Sequence, residues 1–428
     1  MNKPKTTKIK MTAVFLITAC VILSAPAMGT CAARVISLEE CLAIAEENHP
    51  SLAGADGQIA AQRGRLGQSA AADRPEVSGN VSPRRSGSGG SESATYSAGV
   101  NASVRVYDAN RSKYTIDAQS KSLAATEEDK LSTLRDVRAN VKSAYMGLLL
   151  DMEIVGHRLE SVRAFESYLD QAVAFYEAGT KPWYNVTKAE VDLGKAQLAL
   201  VEAESGVEMS KVSLFHAMGI DRPQEDFDLA PIDLDIRVLS AGEAGFLAEA
   251  LENRSDYRAS ELKILAGIST LKTEARASSP SVSVSAGLGA GGRDVFDLDS
   301  EWNVGLSVSI PIVDGGTTKA KIETATGQLM SLEASREKLR QDIALEVRKT
   351  LADISKAHER IRISELNVAS AEENRRIAMG RYETGAGDPF EVTDALLSFT
   401  DAQLENRRAK YDMQLALVAL EKAVGKDI

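Results

Sequence analysis

From Trp302 to Ile312 every even position is apolar (Trp302, Val304, Leu306, Val308, Ile310, Ile312). Between them Asn303, Gly305, Ser307 and Ser309 are small or polar. The same alternation runs through Val282, Val284, Ala286 and Leu288. Two earlier stretches repeat it: Val77, Gly79 and Val81, then Tyr96, Ala98, Val100, Ala102, Val104 and Val106. Period two is the signature of strands whose sheet has two unlike faces. The segments PRRSGSGGSES and GGRDVFDLDS are predicted to be the loops joining each pair.

Elsewhere the period lengthens. Val141, Tyr145, Leu148, Met152, Val155, Leu159 and Val162 are spaced by fours and threes, a heptad seam. The spacing predicts a helix from about residue 110 to Ala178, about 100 Å long at about 1.5 Å per residue. A counterpart from about 316 to 384 carries Ile343, Val347, Leu351, Ile354, Ile361 and Val368. Beyond it Val392, Phe399, Asn406, Met413 and Leu420 recur every seven residues, and Ala395, Ala402, Ala409, Ala416 and Ala423 stand three residues after them. The first copy repeats this with Val186, Leu193, Leu200, Val207 and Leu214, then Ala189, Ala196, Ala203, Ser210 and Ala217. A column of small side chains lets helix axes approach closely, and the seven-residue period implies left-handed supercoiling. An amphipathic surface helix is the plainer alternative, but it needs no such register.

These elements occur twice in the same order. YEAGTKPWYNVTKA at 176–189 and YETGAGDPFEVTDA at 382–395 share six of fourteen residues at an offset of 206. Val106, Asp108, Val141, Tyr176 and Val186 match Ile312, Asp314, Val347, Tyr382 and Val392 at the same offset. Upstream, Asn48 pairs with Asn253 and Pro75 with Pro280 at 205. The expected organisation is a first repeat over 34–219, an acidic Pro-bearing linker over 220–240 and a second repeat over 241–428. Each repeat opens on a helix with a capping-box signature, Ser37 with Glu40 and Ser240 with Glu243.

Residues 1–33 have the form of an export signal, with Lys3, Lys5, Lys8 and Lys10 before an apolar stretch from Met11 to about Ala25. Small residues near Ala27 to Ala33 offer cleavage points, and Cys20 offers a lipidation site. Loss of the four lysines takes the formal charge from −11 to −15, which argues against nucleic-acid binding. Cys20, Cys31 and Cys41 do not make a disulfide framework. After cleavage no run of eighteen or more apolar residues remains, so an ordinary transmembrane helix is not expected in the exported chain.

Suppose the alternating strands face lipid. Each has about the nine to eleven residues a transmembrane strand needs, and Tyr96, Tyr107 and Trp302 lie near strand ends, where aromatic girdles sit. Four strands per chain cannot close a barrel, and sheet edges cannot stay open in lipid. Two chains would give about eight strands with a filled interior; three would give about twelve, with room for a lumen. A trimer is expected. A soluble β-sandwich joined to coiled coils remains the competing reading of the alternation.

With the repeat in view, the chain resembles the TolC family of outer-membrane factors. The resemblance rests on SLEECLAIAEENHP, the junctions VYDANRSK and IPIVDGGTTKAK, and the duplicated turn motif, and it spans the chain beyond the signal. It implies a mainly α protein with a transmembrane β part: a tandem-repeat protomer whose homotrimer has a twelve-stranded β-barrel in outer-membrane lipid, continuous with a twelve-helix coiled-coil α-barrel. It also implies a periplasmic adaptor (membrane fusion) protein and an inner-membrane pump or ATP-driven exporter as partners. In that family the turn after each long helix forms the periplasmic tip. Gly179 and Pro182 would build the first tip, and Gly385 and Pro389 the second. Glu391 and Asp394 match acidic positions at the entrance, Tyr382 matches a latching tyrosine, and Asn185 is its polar partner. A basic residue often found after the tip glycine is replaced by Gly387. Glu391 also fits the third helical position after an Asp388 cap, and Asp394 fits an ordinary exposed carboxylate.

Catalytic chemistry finds no foothold. His49, His157, His216 and His358 lack metal-ligand spacing, and GLGAGG ends a strand with no helix opening after it. No enzyme activity, cofactor or metal is expected. The leading reading is a passive exit duct of a tripartite efflux or type I secretion system. The alternative is a periplasmic coiled-coil adaptor or envelope tether without a pore.

Overall fold

The computed structural model describes residues 34–89, 91–221, 227–232, 242–294 and 296–426. The export signal, with Cys20 and Cys31, lies outside them, as do Ser240 and most of the linker.

Two halves of the chain fold with one element order. The first runs α1 (Leu38–Asn48), α2 (Pro50–Ala71), β2 (Glu76–Ser88), β3 (Ser91–Tyr107), α3 (Arg111–Glu177) and α4 (Tyr184–Met218). The second runs α5 (Glu243–Asn253), α6 (Ser255–Ala275), β5 (Ser281–Asp294), β6 (Asp297–Ser309), α7 (Thr317–Glu383) and α8 (Pro389–Val424). Two short strands, β1 (Arg34–Ile36) and β4 (Phe227–Leu229), pair in parallel, so the linker region includes a strand that returns to the start of the chain. Tyr145 of α3 fastens that pair: its hydroxyl donates to the carbonyls of Ile36 at 3.1 Å and Ala230 at 2.7 Å. Burial pushes this phenol up to about 12.

The opening helix of each half is in fact two. Pro50 cannot continue the ladder of α1, so α2 restarts there with the His49 ring accepting the Ser51 N–H at 3.2 Å. Ser37 caps α1 as expected, accepting from the Glu40 N–H at 3.2 Å. In α5 the cap position is Gly242, with no side-chain bond.

The two long helices have 67 residues each. Aspartates 206 positions apart start them: Asp108 Oδ2 accepts from the Ser112 N–H at 2.7 Å, and Asp314 Oδ2 from the Thr318 N–H at 2.8 Å. At Asp108 burial opposes ionisation, but the hydrogen bonds from Ser112 outweigh it and hold the carboxyl below its ordinary range. Between strand and helix the chain must turn through left-handed backbone. Gly315 and Gly316 do so at φ 61° and 85°, whereas the first half uses Ala109 and Asn110 at 56° and 66°.

The heptad seams are the core. Val141, Tyr145, Leu148 and Val162 of α3 are buried, as are Ile343, Val347, Ile354 and Ile361 of α7. Leu159 breaks the pattern at 39% exposed. Ala189 of α4 and Ala395, Ala409 and Ala423 of α8 have no exposed surface, which is what close axes require of a small-residue column.

Strands β2, β3, β5 and β6 form one antiparallel sheet in that order, leaving β2 and β6 as open edges. Two expectations need correction. The segments assigned to loops are strand: pairing continues to Ser88–Ser91 and to Asp294–Asp297. Their polar side chains pair across the ladder, Arg85 with Glu92 and the Ser86 hydroxyl with that of Ser93 at 3.0 Å. At the other end β6 stops at Ser309, before Ile310 and Ile312, because Pro311 has no N–H to give the ladder.

Candidate functional site

Register sets the sheet's two faces. Val77, Ala102, Ala286 and Val304 share one rung, and Gly79, Val100, Leu288 and Trp302 the next on the same face. Val104, Val284 and Leu306 continue it. Most of these side chains stand in the open, Trp302 at 76% and Val304 at 70% exposed, while Ala102, Val104 and Val284 are half-buried. A bulge between Arg105 and Tyr107 turns Tyr107 onto this face, opposite Val282. Tyr96 and Trp302 are not at strand ends. Each is the sixth residue of its strand, because the hairpins run on past them into polar sequence.

The opposite face is polar and nearly flat. Ser78, Asn101, Gly287 and Asn303 make one rung. A Cβ on Gly287 would meet Asn303 Oδ1 at 2.4 Å and Asn101 Oδ1 at 2.6 Å, so the two amides fold over the glycine from either side. Asn101 Nδ2 also donates to Asn80 Oδ1 at 3.2 Å.

At the far end of the helices the duplicated motif builds one turn twice. The Thr180 N–H donates to the Phe175 carbonyl at 3.0 Å and that of Gly179 to Tyr176 at 2.9 Å; Ala386 to Arg381 and Gly385 to Tyr382 reproduce both distances. This helix ending needs left-handed backbone at its glycine, φ 68° at Gly179 and 78° at Gly385. Pro182 lies just before α4 and its carbonyl accepts the Asn185 N–H at 3.0 Å. Pro389 opens α8 behind Asp388, whose side chain accepts the Phe390 N–H at 2.8 Å.

Of the positions at which the turns differ, one pair governs the contact between them. Lys181 stands where the second copy has Gly387, and its ammonium donates to the carbonyls of both Gly385 and Gly387 at 3.2 Å. Gly387 itself accepts no side chain: a Cβ there would lie 2.6 Å from the Tyr382 nitrogen and 2.8 Å from its Cα. The basic residue therefore belongs to the first tip and reaches across to the second. Replacing Lys181 by Met keeps the packing over the Tyr382 ring but removes both bonds. The expected loss is about 1 kcal/mol of tip-to-tip coupling, given partial exposure, seen as faster hydrogen exchange at residues 384–388.

Behind the turns lies a buried polar cluster. Tyr382 is fully buried, with Tyr168 at 5.3 Å and Phe175 edge-on at 5.4 Å between ring centroids. Burial pushes its phenol up, and its hydroxyl faces Tyr168 and Asn185 without a hydrogen bond of good geometry. Asn185 is buried beside it. Sequence reasoning missed Asp192, 3% exposed, which accepts from the Thr393 hydroxyl of α8 at 2.9 Å and from Lys188. The available signal was its place three residues after the packed Ala189. Glu391 and Asp394 remain exposed on α8. Glu391 does not fold back onto the cap; its carboxylate pairs with Arg381 at 3.2 Å.

No helix among the described residues is long and apolar enough to cross a membrane, and no metal-binding cluster occurs among them.

Comparisons with known proteins agree with this architecture. A probable efflux pump outer membrane protein, TtgC of Pseudomonas putida, is 25% identical over 69% of this chain, and the chain spans 59% of that relative's length. The outer membrane efflux protein BepC of Brucella suis is 22% identical over 96% of this chain and 90% of its own. A crystal structure of CusC superposes with a TM-score of 0.83, at 19% identity, over 91% of this chain and 92% of that one; it speaks to the fold. The family described as outer membrane efflux protein matches residues 42–220 and again 246–426. With most of its length accounted for by those two matches, the chain belongs to the outer membrane efflux protein family.

Proposed function

We propose that this protein is the outer-membrane exit duct of a tripartite exporter, with three copies closing one barrel and one helical tunnel. The sheet carries the reading. Its four strands present a continuous exposed apolar face and two open edges, and unpaired backbone in hydrocarbon costs several kcal/mol per group. Tyr96 and Tyr107 are eleven residues apart on that face. This is about 36 Å of strand, or roughly 28 Å of height at a tilt of about 40°, close to the roughly 25 Å band of outer-membrane barrels. The helices point the same way: Val191, Leu198 and Val212 of α4, at multiples of seven, are each more than half exposed, and a neighbouring copy's helix would cover them.

In this arrangement residues 1–33 are an export signal, and the repeats over 34–219 and 241–428, joined by 220–240, each supply one strand pair and one helical hairpin. The tunnel is passive, with no catalytic step of its own. A periplasmic adaptor and an inner-membrane pump or ATP-driven exporter supply recruitment and energy, as the efflux-pump names of its relatives suggest. Both tips lie at the periplasmic mouth. Glu391 and Asp394, three copies of each, form its acidic constriction, and the Tyr382–Tyr168–Asn185 cluster holds the second hairpin against the first. Planar-bilayer recording tests this. Glu391→Gln with Asp394→Asn is expected to weaken cation selectivity and change single-channel conductance; an unaltered channel would remove the constriction from these residues.

A further inference from the structure

The trimeric reading leaves open how the strand edges find their register, and the two edges carry an answer. Strands β2 and β6 are both 13 residues long. They run in opposite directions, since three antiparallel pairings separate them. Laid antiparallel over their full lengths, β2 of one copy and β6 of another place Val77 opposite Val308 and Val81 opposite Val304. The apolar face then continues across the seam without a break. A slip of one residue would turn one strand's apolar side toward water, so it is excluded. Slips of two residues keep both faces correct, and hydrophobic matching alone does not reject them.

Charge and strand length together do. Arg84 lies on the polar face of β2, on the same rung as Thr95. It has no ion pair among the described residues, whereas Arg85, on the other face, is paired with Glu92. On β6 the polar face carries Glu301, whose rung partner is Gly289. It too makes no ion pair among the described residues. Full-length pairing sets Arg84 directly opposite Glu301. A two-residue slip one way puts Arg84 opposite the uncharged Asn303; the other way gives it Asp299, also a carboxylate, but leaves two residues at one end of each 13-residue strand without backbone partners. We propose that the occupant of each sheet edge is a second copy of this chain, and that an inter-subunit Arg84–Glu301 pair on the water-facing side fixes the closing register.

Engineered cysteines test this in the full-length protein, with the three native cysteines replaced by serine. Arg84→Cys with Glu301→Cys is expected to oxidise to covalent trimers in outer membranes faster than Arg84→Cys with Asp299→Cys or with Asn303→Cys. Separately, Arg84→Glu is expected to lower the yield of heat-modifiable trimer severalfold, with Glu301→Arg in the same chain restoring it. Faster cross-linking through Asp299 or Asn303, or reversal at Arg84 with no effect, overturns the register while leaving the trimer in place. A wild-type chain that extracts as a monomer overturns the trimeric reading itself, and the register with it.

Discussion

Arginine at Ala286 is expected to keep the protein out of the outer membrane, while arginine at the adjacent Ser285 is tolerated. Ala286 sits between Ala102 and Val304 on the exposed apolar face, midway between the Tyr96 and Tyr107 levels; Ser285 sits between Ser103 and Gly305 on the other. An arginine facing lipid near the midplane costs about 2–4 kcal/mol, and a threefold assembly carries three, roughly 6–12 kcal/mol in all. That rivals the whole stability of a folded domain, about 5–15 kcal/mol. At Ser285 the same guanidinium would stand in water. Fractionation and heat-modifiable migration of the two variants read the difference. Equal assembly of both would mean that the apolar face does not meet lipid.

The second large effect is at the tip. Gly387→Ala puts a methyl 2.6 Å from the Tyr382 backbone nitrogen. The contact is with main chain, which cannot swing aside as a side chain would. Overpacking of this kind costs about 1–3 kcal/mol, enough to raise the population of a displaced tip about 5–150-fold. Tyr382 lies in the last turn of α7 where it enters this turn, so its seat between Tyr168 and Phe175 should loosen and single-channel conductance should rise. Gly387→Arg, which restores the basic residue that the TolC resemblance leads one to look for, should behave like Gly387→Ala rather than tighten the tip. If it tightens the tip, the role given to Lys181 is wrong.

The features most legible beforehand were those written in period. Two-residue alternation located the apolar face of all four strands, and fours and threes located both long helices, because one repeating geometry spreads the signal over many residues. Duplication made the turns legible as well: Gly179 and Gly385 occupy the same left-handed position because the same helix ending is built twice. What escaped has no period. The hairpin ends of β2 and β5 are serine, glycine and arginine, a composition shared by loops and by strands that leave an apolar layer. Strands β1 and β4 have three residues each and meet across almost 200 positions of chain. The Asp192–Thr393 bond links α4 to α8, so neither residue signals it alone. Gly387 is the instructive case, since its difference from the family pattern is explained only by the backbone packed against it.

The central claim is that several chains close one pipe which none closes alone. Native mass spectrometry of the detergent-extracted, processed protein tests it most directly. A single species with three times the mass of the processed chain is the predicted result. A particle of one chain's mass, under conditions that preserve its secondary structure, would contradict it.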